Sequence, residues 1–431
     1  MVVPGRGMSE PEKVLRDPVY GYVYIHDPLI WDVLAAKEVQ RLRRIRQLGT
    51  AYLTYPGGEH SRFSHALGTY EVVRRMVQTF SRAEPGFSPE RARLAMAAGL
   101  LHDVGHGPFS HSLEHLWGAS HEQWGANLIM DPSTDVNQAL AAHDPDLPQQ
   151  VADVLLKRHP DRLVSSLVSG QLDADRLDYL RRDALFCGVD YGQFNLDRIL
   201  RVVHPLDGRL VVKSTGVRTV EAYLLARYFM YWQVYFHPVC RSADVLLRQL
   251  MARARWVSAH HEVPPAPPAL GAWLAGQPLT VSTYLELDDH ELMAAWQLWQ
   301  HASDPVLADL AARLRDRRLF RYAEVGEHWD DQATRHLRTA VATAGFDPTY
   351  YLVWDEPSAV YYEYYPSDDD GTGGHEPLFV WDGTALAELS QRSAAVAALA
   401  HERAGVRRIF YPEEVEAAMS GGLAGRGMGT S

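Results

Sequence analysis

Residues 100–115 read LLHDVGHGPFSHSLEH, and this run restricts the folds open to the chain more than any other. Leu94, Ala97, Ala98 and Leu101 recur at helical spacing, so a helix over 89–103 delivers His102 and Asp103 to its end. Gly105 and Gly107-Pro108 then stop it. Polar groups at the end of an apolar helix need partners, because burying them unpaired is costly. His106, His111, His115 and His121 follow, so five histidines fall within twenty residues, with His60 and His65 shortly upstream. His106 lies four residues beyond His102, the offset that stacks side chains on one helix face. A lone pair at that spacing is more often structural, but five histidines interleaved with Gly-His-Gly-Pro are hard to explain by packing. Imidazole and carboxylate together suit a divalent ion of borderline hardness, such as Mn, Fe, Zn or Co.

Around this run the pattern is mainly helical. A hairpin is expected from Asp17 in VYGYVYIHD, then helices over 28–47, 62–80, 120–130, 133–142, 148–157, 161–169 and 172–187. A strand pair near 200–203 and 210–213 leads into a long apolar helix, 217–258. The stretch VPPAPPALGAW, 263–273, is the clearest composition break; helices resume over 287–315. Short β-like runs follow at 350–354, 360–364, 378–381 and 408–411. The segment SDDDGTGG, 367–374, reads as an exposed loop. The organisation expected is a flexible leader (1–16), a helical body with small β-hairpins (17–262), a helical then α+β region (263–420) and a disordered tail (421–431).

Lys plus Arg number 42 and Asp plus Glu 54, giving a net charge of −12. So acidic a chain does not coat nucleic acid non-specifically, since that affinity comes from cationic side chains displacing counterions. A local basic pocket for a polyphosphate stays compatible with it. Two cysteines, Cys187 and Cys240, do not form a disulfide framework. No signal peptide or membrane span is read, so a soluble cytoplasmic protein is expected.

Two further segments carry chemistry. In SRFSHALG, 61–68, Arg62 stands one helical turn before His65; in LDADRLDYLRRD, 172–183, Asp175 and Asp178 share a face with Arg182. His65, then His102-Asp103, then Asp175 resembles the metal signature of the HD-domain phosphohydrolases. The texts DPVYGYV, QRLRRIRQLGTAYLTYPGGEHSRFSHALG, GLLHDVGHGPFSH, SHEQWG and DADRLDYLRRD are similar to the deoxynucleoside triphosphate triphosphohydrolase branch, over residues 16–260.

That resemblance implies an HD-type catalytic domain in which His65, His102, Asp103 and Asp175 hold a divalent ion (Mn, Mg, Fe, Zn or Co). It implies that Arg62, Arg176 and Arg227 clamp phosphates, with Tyr179 beside them. His106 and His121 would contact the α-phosphate, Glu122 would orient His121, and His111 would protonate the leaving 5′ oxygen. Gln47, Leu48, Asp183 and Tyr235 would select a deoxy sugar, Tyr235 by filling the place of a 2′-hydroxyl. His115 receives no role. The activity implied is hydrolysis of a dNTP to deoxynucleoside and inorganic triphosphate. Homo-oligomers, dimeric or tetrameric, are implied, and so is a nucleotide activator: Gln40 and Arg43 match its phosphate-binding positions, although Ala35 stands where the human member has a base-reading aspartate. Tyr231 and Phe236 differ from that member in the substrate pocket, so base preference does not carry over. Two rivals stand beside this reading. One is an HD hydrolase of another nucleotide: a ribonucleotide, a monophosphate or a signalling nucleotide. The other is a nucleotide- or nucleic-acid-sensing oligomer without turnover, using Arg41, Arg43, Arg44 and Arg46; a solvated helix face with a subunit contact is the more ordinary reading of that stripe.

Overall fold

The Pro89–Leu101 helix begins where Ser88 accepts a hydrogen bond from the Arg91 N–H at 3.3 Å, with Pro89 in its first turn. The Ala174–Cys187 helix is capped by Asp173, which accepts from the Arg176 N–H at 2.8 Å, and it ends at Gly188 with φ 70°. Between them runs the Arg62–Ala83 helix. At Gly68 a Cβ would lie 2.0 Å from Asp178 Oδ1 and 2.3 Å from Arg182 Nη2, so only glycine admits this ion pair against the helix. The computed structural model describes residues 13–83, 87–326, 329–360, 362, 377–401 and 403–416. The leader up to residue 12, the 367–374 segment and the tail from 421 lie outside the described residues.

The hairpin pairs Lys13–Asp17 with Gly21–Ile25, so its first strand falls in the expected leader. Asp17 places the turn: its Oδ1 accepts from the N–H groups of Val19 (2.9 Å) and Tyr20 (3.1 Å). Its Oδ2 accepts from Arg182 Nη1 at 2.8 Å, tying the hairpin to the buried helix behind the site. The helix expected over 28–47 is broken into Pro28–Ala35, Lys37–Arg41 and a short 3-10 turn. Ala36 is extended there, and Gln40 Nε2 donates to the Leu34 carbonyl at 2.7 Å across the break. The second strand pair is Val203–Leu206 with Arg209–Lys213, later than expected, because Asp207-Gly208 (φ 50° and 75°) forms a left-handed two-residue turn.

The helix expected over 217–258 is also interrupted. Val217–Met230 passes into a π-turn, Tyr231–Tyr235, before Pro238–His260. Pro238 forces the break, since it keeps His237 extended (ψ 126°). The C-terminal stretch is mixed: a sheet ordered Arg321–Glu324, Arg408–Tyr411, Val353–Asp355, with helices such as Asp331–Thr343. A short strand at Ser358–Val360 begins just ahead of the expected 360–364 run, most of which is outside the described residues.

The protein is therefore mainly α with small sheets, and its two apolar cores interleave along the chain. The first joins the helices up to Phe236 with Leu378, Val380 and Leu389 from the far end. The second joins Trp273, Trp296 and Ile409 to Phe109, Leu113 and Trp117 of the histidine-rich run. That run sits where the two cores meet. No helix among the described residues is long and apolar enough to cross a membrane.

Candidate functional site

His65, His102, Asp103 and Asp175 converge from three helices. His65 Nε2 stands 3.1 Å from His102 Nε2, 3.0 Å from Asp175 Oδ1 and 3.6 Å from Asp103 Oδ2. His102 Nε2 is 3.4 Å from Asp103 Oδ1 and 3.7 Å from Asp175 Oδ1. Ligand atoms about 2.0–2.2 Å from one ion stand about 3 Å or slightly more apart, so the spacing fits a divalent cation. The hydrogen bonds behind the rings agree. His102 Nδ1 faces the Gly99 carbonyl at 2.9 Å, and a carbonyl only accepts, so its proton is on Nδ1 and its lone pair on Nε2. His65 Nδ1 bonds Asp178 Oδ2 at 2.7 Å, which aims its Nε2 the same way. With both rings neutral, two imidazole nitrogens and two carboxylates would offer a donor set that suits a divalent cation.

The electrostatics show how strongly these carboxylates favour positive charge here. Burial works against charge on His65, yet the carboxylates of Asp175 and Asp178 push its pKa up to about 10. Burial likewise opposes ionisation of Asp175, but His102 and His65 hold its carboxyl well below the usual range. Asp103 is also held low despite burial, chiefly by the Arg62 guanidinium that contacts it. Asp178 accepts from Arg182 and from the Tyr20 hydroxyl, so its charge is fixed from behind.

His106, His111 and His121 form a wall beside this cage. The rings of His106 and His121 stack with centroids 3.9 Å apart, and His106 Nε2 is 3.3 Å from Asp103 Oδ1. His102 and His106 do not share a helix face as their spacing implied: the helix stops at Leu101, and a turn carries His106 round to Asp103. Glu114 organises the wall. It accepts from His111 Nδ1 at 2.8 Å and from both the ring Nδ1 (2.6 Å) and the backbone N–H (2.7 Å) of His121. Glu122, expected to orient His121, lies 3.7 Å from its Nε2. Burial pushes the His106 pKa well down, helped by the charges of Arg62 and His121, whereas on His121 the Glu114 hydrogen bond overcomes burial and raises it. A neutral imidazole thus stacks on one that favours its charged form.

A cavity of about 470 Å³ opens over these groups. Gln47, Leu48, Arg62, Asp103, His106, His111, His121, Glu122, Asp175, Arg176, Tyr179, Asp183 and Tyr235 all line it. His65 and His102 lie beneath, and Arg227 is not in the lining; it is buried with its guanidinium 5.7 Å from the Tyr231 ring. Arg62 donates from Nε to Ser110 Oγ (2.7 Å), from Nη1 to Asp103 and from Nη2 to the Gln47 carbonyl (3.4 Å). Two of its five N–H groups remain for a phosphate. Asp183 is gripped by His60 Nε2 and the Tyr235 hydroxyl, both at 2.8 Å. The Oε1 atom of Gln47 is buried without a hydrogen-bond partner among the described residues.

Four contributors receive no role in the site from sequence: Glu114 and Asp289, which go unremarked, and His60 and Asp178, which are remarked without a function. Glu114 was the most accessible, standing three residues after His111. The arginine stripe divides: Arg43 and Arg44 are exposed, as on a solvated face, while Arg41 and Arg46 turn inward. Arg41 is buried and bonds the carbonyls of His106 (2.8 Å) and Leu287 (2.6 Å), Arg44 pairs with Asp288, and Arg46 with Glu59 (2.6 Å).

Comparison with known proteins extends the picture. The HD domain family matches residues 62–180, which hold all four residues of the cage, and the HD associated region matches residues 194–262. The uncharacterized protein YwfO of Bacillus subtilis is 42% identical over 415 residues, covering 96% of this chain and 95% of that protein. The human deoxynucleoside triphosphate triphosphohydrolase SAMHD1 is 28% identical over 284 residues, 56% of this chain and 44% of that one. A crystal structure of a phosphohydrolase from Bacteroides thetaiotaomicron superposes with a TM-score of 0.81 at 27% identity, covering 94% of this chain and 100% of that one. With its cage inside the matched domain and its likeness running almost end to end, the chain belongs to the HD-domain phosphohydrolases, in the branch that includes the deoxynucleoside triphosphate triphosphohydrolases.

Proposed function

We propose that this protein hydrolyses deoxynucleoside triphosphates to deoxynucleoside and inorganic triphosphate. One observation carries the choice of substrate: in the cavity that holds the histidine wall and the arginines, Asp183 is fixed by His60 and Tyr235 while Gln47 offers a buried, unpartnered oxygen. The two are coupled through the backbone, since the Gln47 N–H donates to the His60 carbonyl at 2.9 Å. A carboxylate and an amide oxygen held in this way are acceptors for a sugar hydroxyl. Tyr235, its hydroxyl tied to Asp183, presents its ring beside that hydroxyl and leaves a 2′-hydroxyl no partner.

A divalent ion held by His65, His102, Asp103 and Asp175 supplies Lewis-acid polarisation of a phosphate oxygen and of the attacking water. Arg176 and the two remaining N–H groups of Arg62 bind the phosphate chain. His121, whose charged form Glu114 favours, faces the oxygens on which negative charge accumulates. Glu114 accepts a hydrogen bond from the Nδ1–H of His111 and leaves Nε2 free of it; with both ring nitrogens protonated, Nε2 gives its proton to the departing 5′ oxygen and the neutral Nδ1–H ring remains. His111 is suited to this by position: its side chain is 65% exposed at the cavity rim, within reach of a substrate.

Turnover of dATP and ATP by the metal-loaded protein tests the reading. A preference for dATP of about 10²-fold in kcat/KM is expected, the order that a packed pocket achieves against one added hydroxyl. Equal turnover, or preference for ATP, would overturn the deoxy-sugar assignment.

A further inference from the structure

A second cleft adjoins the catalytic cavity. The Leu147–Leu155 helix ends in a turn in which Lys157 adopts φ 58°, a left-handed conformation that residues with a side chain rarely adopt. The N–H groups of Arg158 and His159 then both donate to the Asp153 carbonyl, at 2.7 and 3.1 Å. The backbone therefore fixes three consecutive basic residues in one place. His159 Nδ1 accepts the Asp161 N–H at 3.1 Å, so its proton is on Nε2, the nitrogen left to donate elsewhere. Together with Arg162, Ser166 and Ser169, these residues line a cleft of about 550 Å³.

Two facts separate this cleft from an ordinary solvated surface. Among the described residues no carboxylate lines it, although the chain carries a net charge of −12. A wall of one sign in a protein of the other concentrates anions locally. The cleft also borders the catalytic cavity, since Lys157 and Ser169 line both. Lys157 thus belongs to both linings, and Arg158, His159 and Arg162 to the cleft beyond it.

We infer that this cleft is a second anion site, taking the inorganic triphosphate released from the catalytic cavity. The identity of the anion rests on the reaction proposed above; the site itself rests on the cleft. An oligophosphate spreads several charges along a short chain and so matches a row of cationic donors better than a single one does.

Calorimetric titration of inorganic triphosphate into the full chain tests it. Two binding events per chain are expected in the wild type. Arg158→Glu is expected to weaken one of them at least about 10-fold and leave the other in place. Arg158 is exposed, so folding is not at stake, and unchanged circular dichroism checks this. A single event in the wild type, or two unchanged events in the variant, would overturn the site. Hydrolysis of dATP measured on the same samples keeps the two claims apart. Two triphosphate events without dATP turnover would sustain the cleft and overturn the reaction; dATP turnover with one event would do the reverse.

Discussion

Asp103→Ala is expected to lose its divalent ion and its activity together while still folding. The Asp103 carboxylate lies against His65, His102 and His106 and contacts the Arg62 guanidinium. Without it the cage loses one of its two carboxylates, and the Arg62 charge turns from a neutralised neighbour into a repulsive one. Metal affinity should fall at least about 10²-fold, beyond what loss of an outer hydrogen-bond partner brings. Activity should fall at least about 10³-fold, roughly 4 kcal/mol of transition-state stabilisation. Arg62 keeps Ser110 Oγ and the Gln47 carbonyl, which is why the chain survives the change. Asp103→Asn retains size and removes only charge, so it should behave alike with a smaller loss of stability. Metal content, turnover and circular dichroism on the same preparations check this; full activity or retained metal in Asp103→Ala would refute the ligand assignment.

Asp289→Ala is expected to disable the site from outside it. The loop that carries His106 and His111 is held by residues 284–289: the Tyr284 hydroxyl donates to the Gly105 carbonyl at 2.7 Å, and Arg41 bridges the carbonyls of His106 and Leu287. Asp289 closes the clamp, its Oδ1 accepting the Phe109 N–H at 2.8 Å and its Oδ2 the Arg46 N–H at 2.9 Å. Phe109 and Ser110 are both left-handed (φ 53° and 50°), a conformation that persists only where surroundings enforce it. Removing the carboxylate leaves two inward N–H groups unpaired, for a stability loss of roughly 2–4 kcal/mol. The loop then relaxes, and kcat should fall about 10²-fold with KM changing less. The pH dependence carries its own signature. Burial lifts the Asp289 pKa to about 6 against the pull of those N–H groups. A carboxyl raised in the folded state favours folding while protonated, and that contribution is lost as pH rises from the ordinary carboxylate value through about 6. The stability gap between wild type and Asp289→Ala should therefore narrow over that window. Wild-type kcat in the variant, or a gap that widens with pH, would count against the clamp.

Much of the helical body can be read from sequence because its signals are local. Apolar residues at helical spacing, capping Ser88 and Asp173, and terminating Gly188 act within a turn of the residues they govern. The four cage residues could be read as well, since each lies in a distinctive short segment. What escaped is non-local. Asp289 meets Phe109 from 180 residues away, and Arg41 meets Leu287 from 246 away, so nothing near Arg41 distinguishes it from a solvated arginine. The break between Met230 and Pro238 was masked by aromatic residues that satisfy a helix pattern throughout, though Pro238 itself marked it. Asp178 was read as one member of a charged helix face, and only the packing of Gly68 against it shows that the face is buried.

Identifying the products of dATP hydrolysis in ¹⁸O-labelled water tests the proposed reaction most directly. Water attacking the α-phosphorus should yield deoxyadenosine and inorganic triphosphate, with the label confined to the triphosphate. Deoxyadenosine monophosphate with pyrophosphate, or label in the nucleoside, would contradict it.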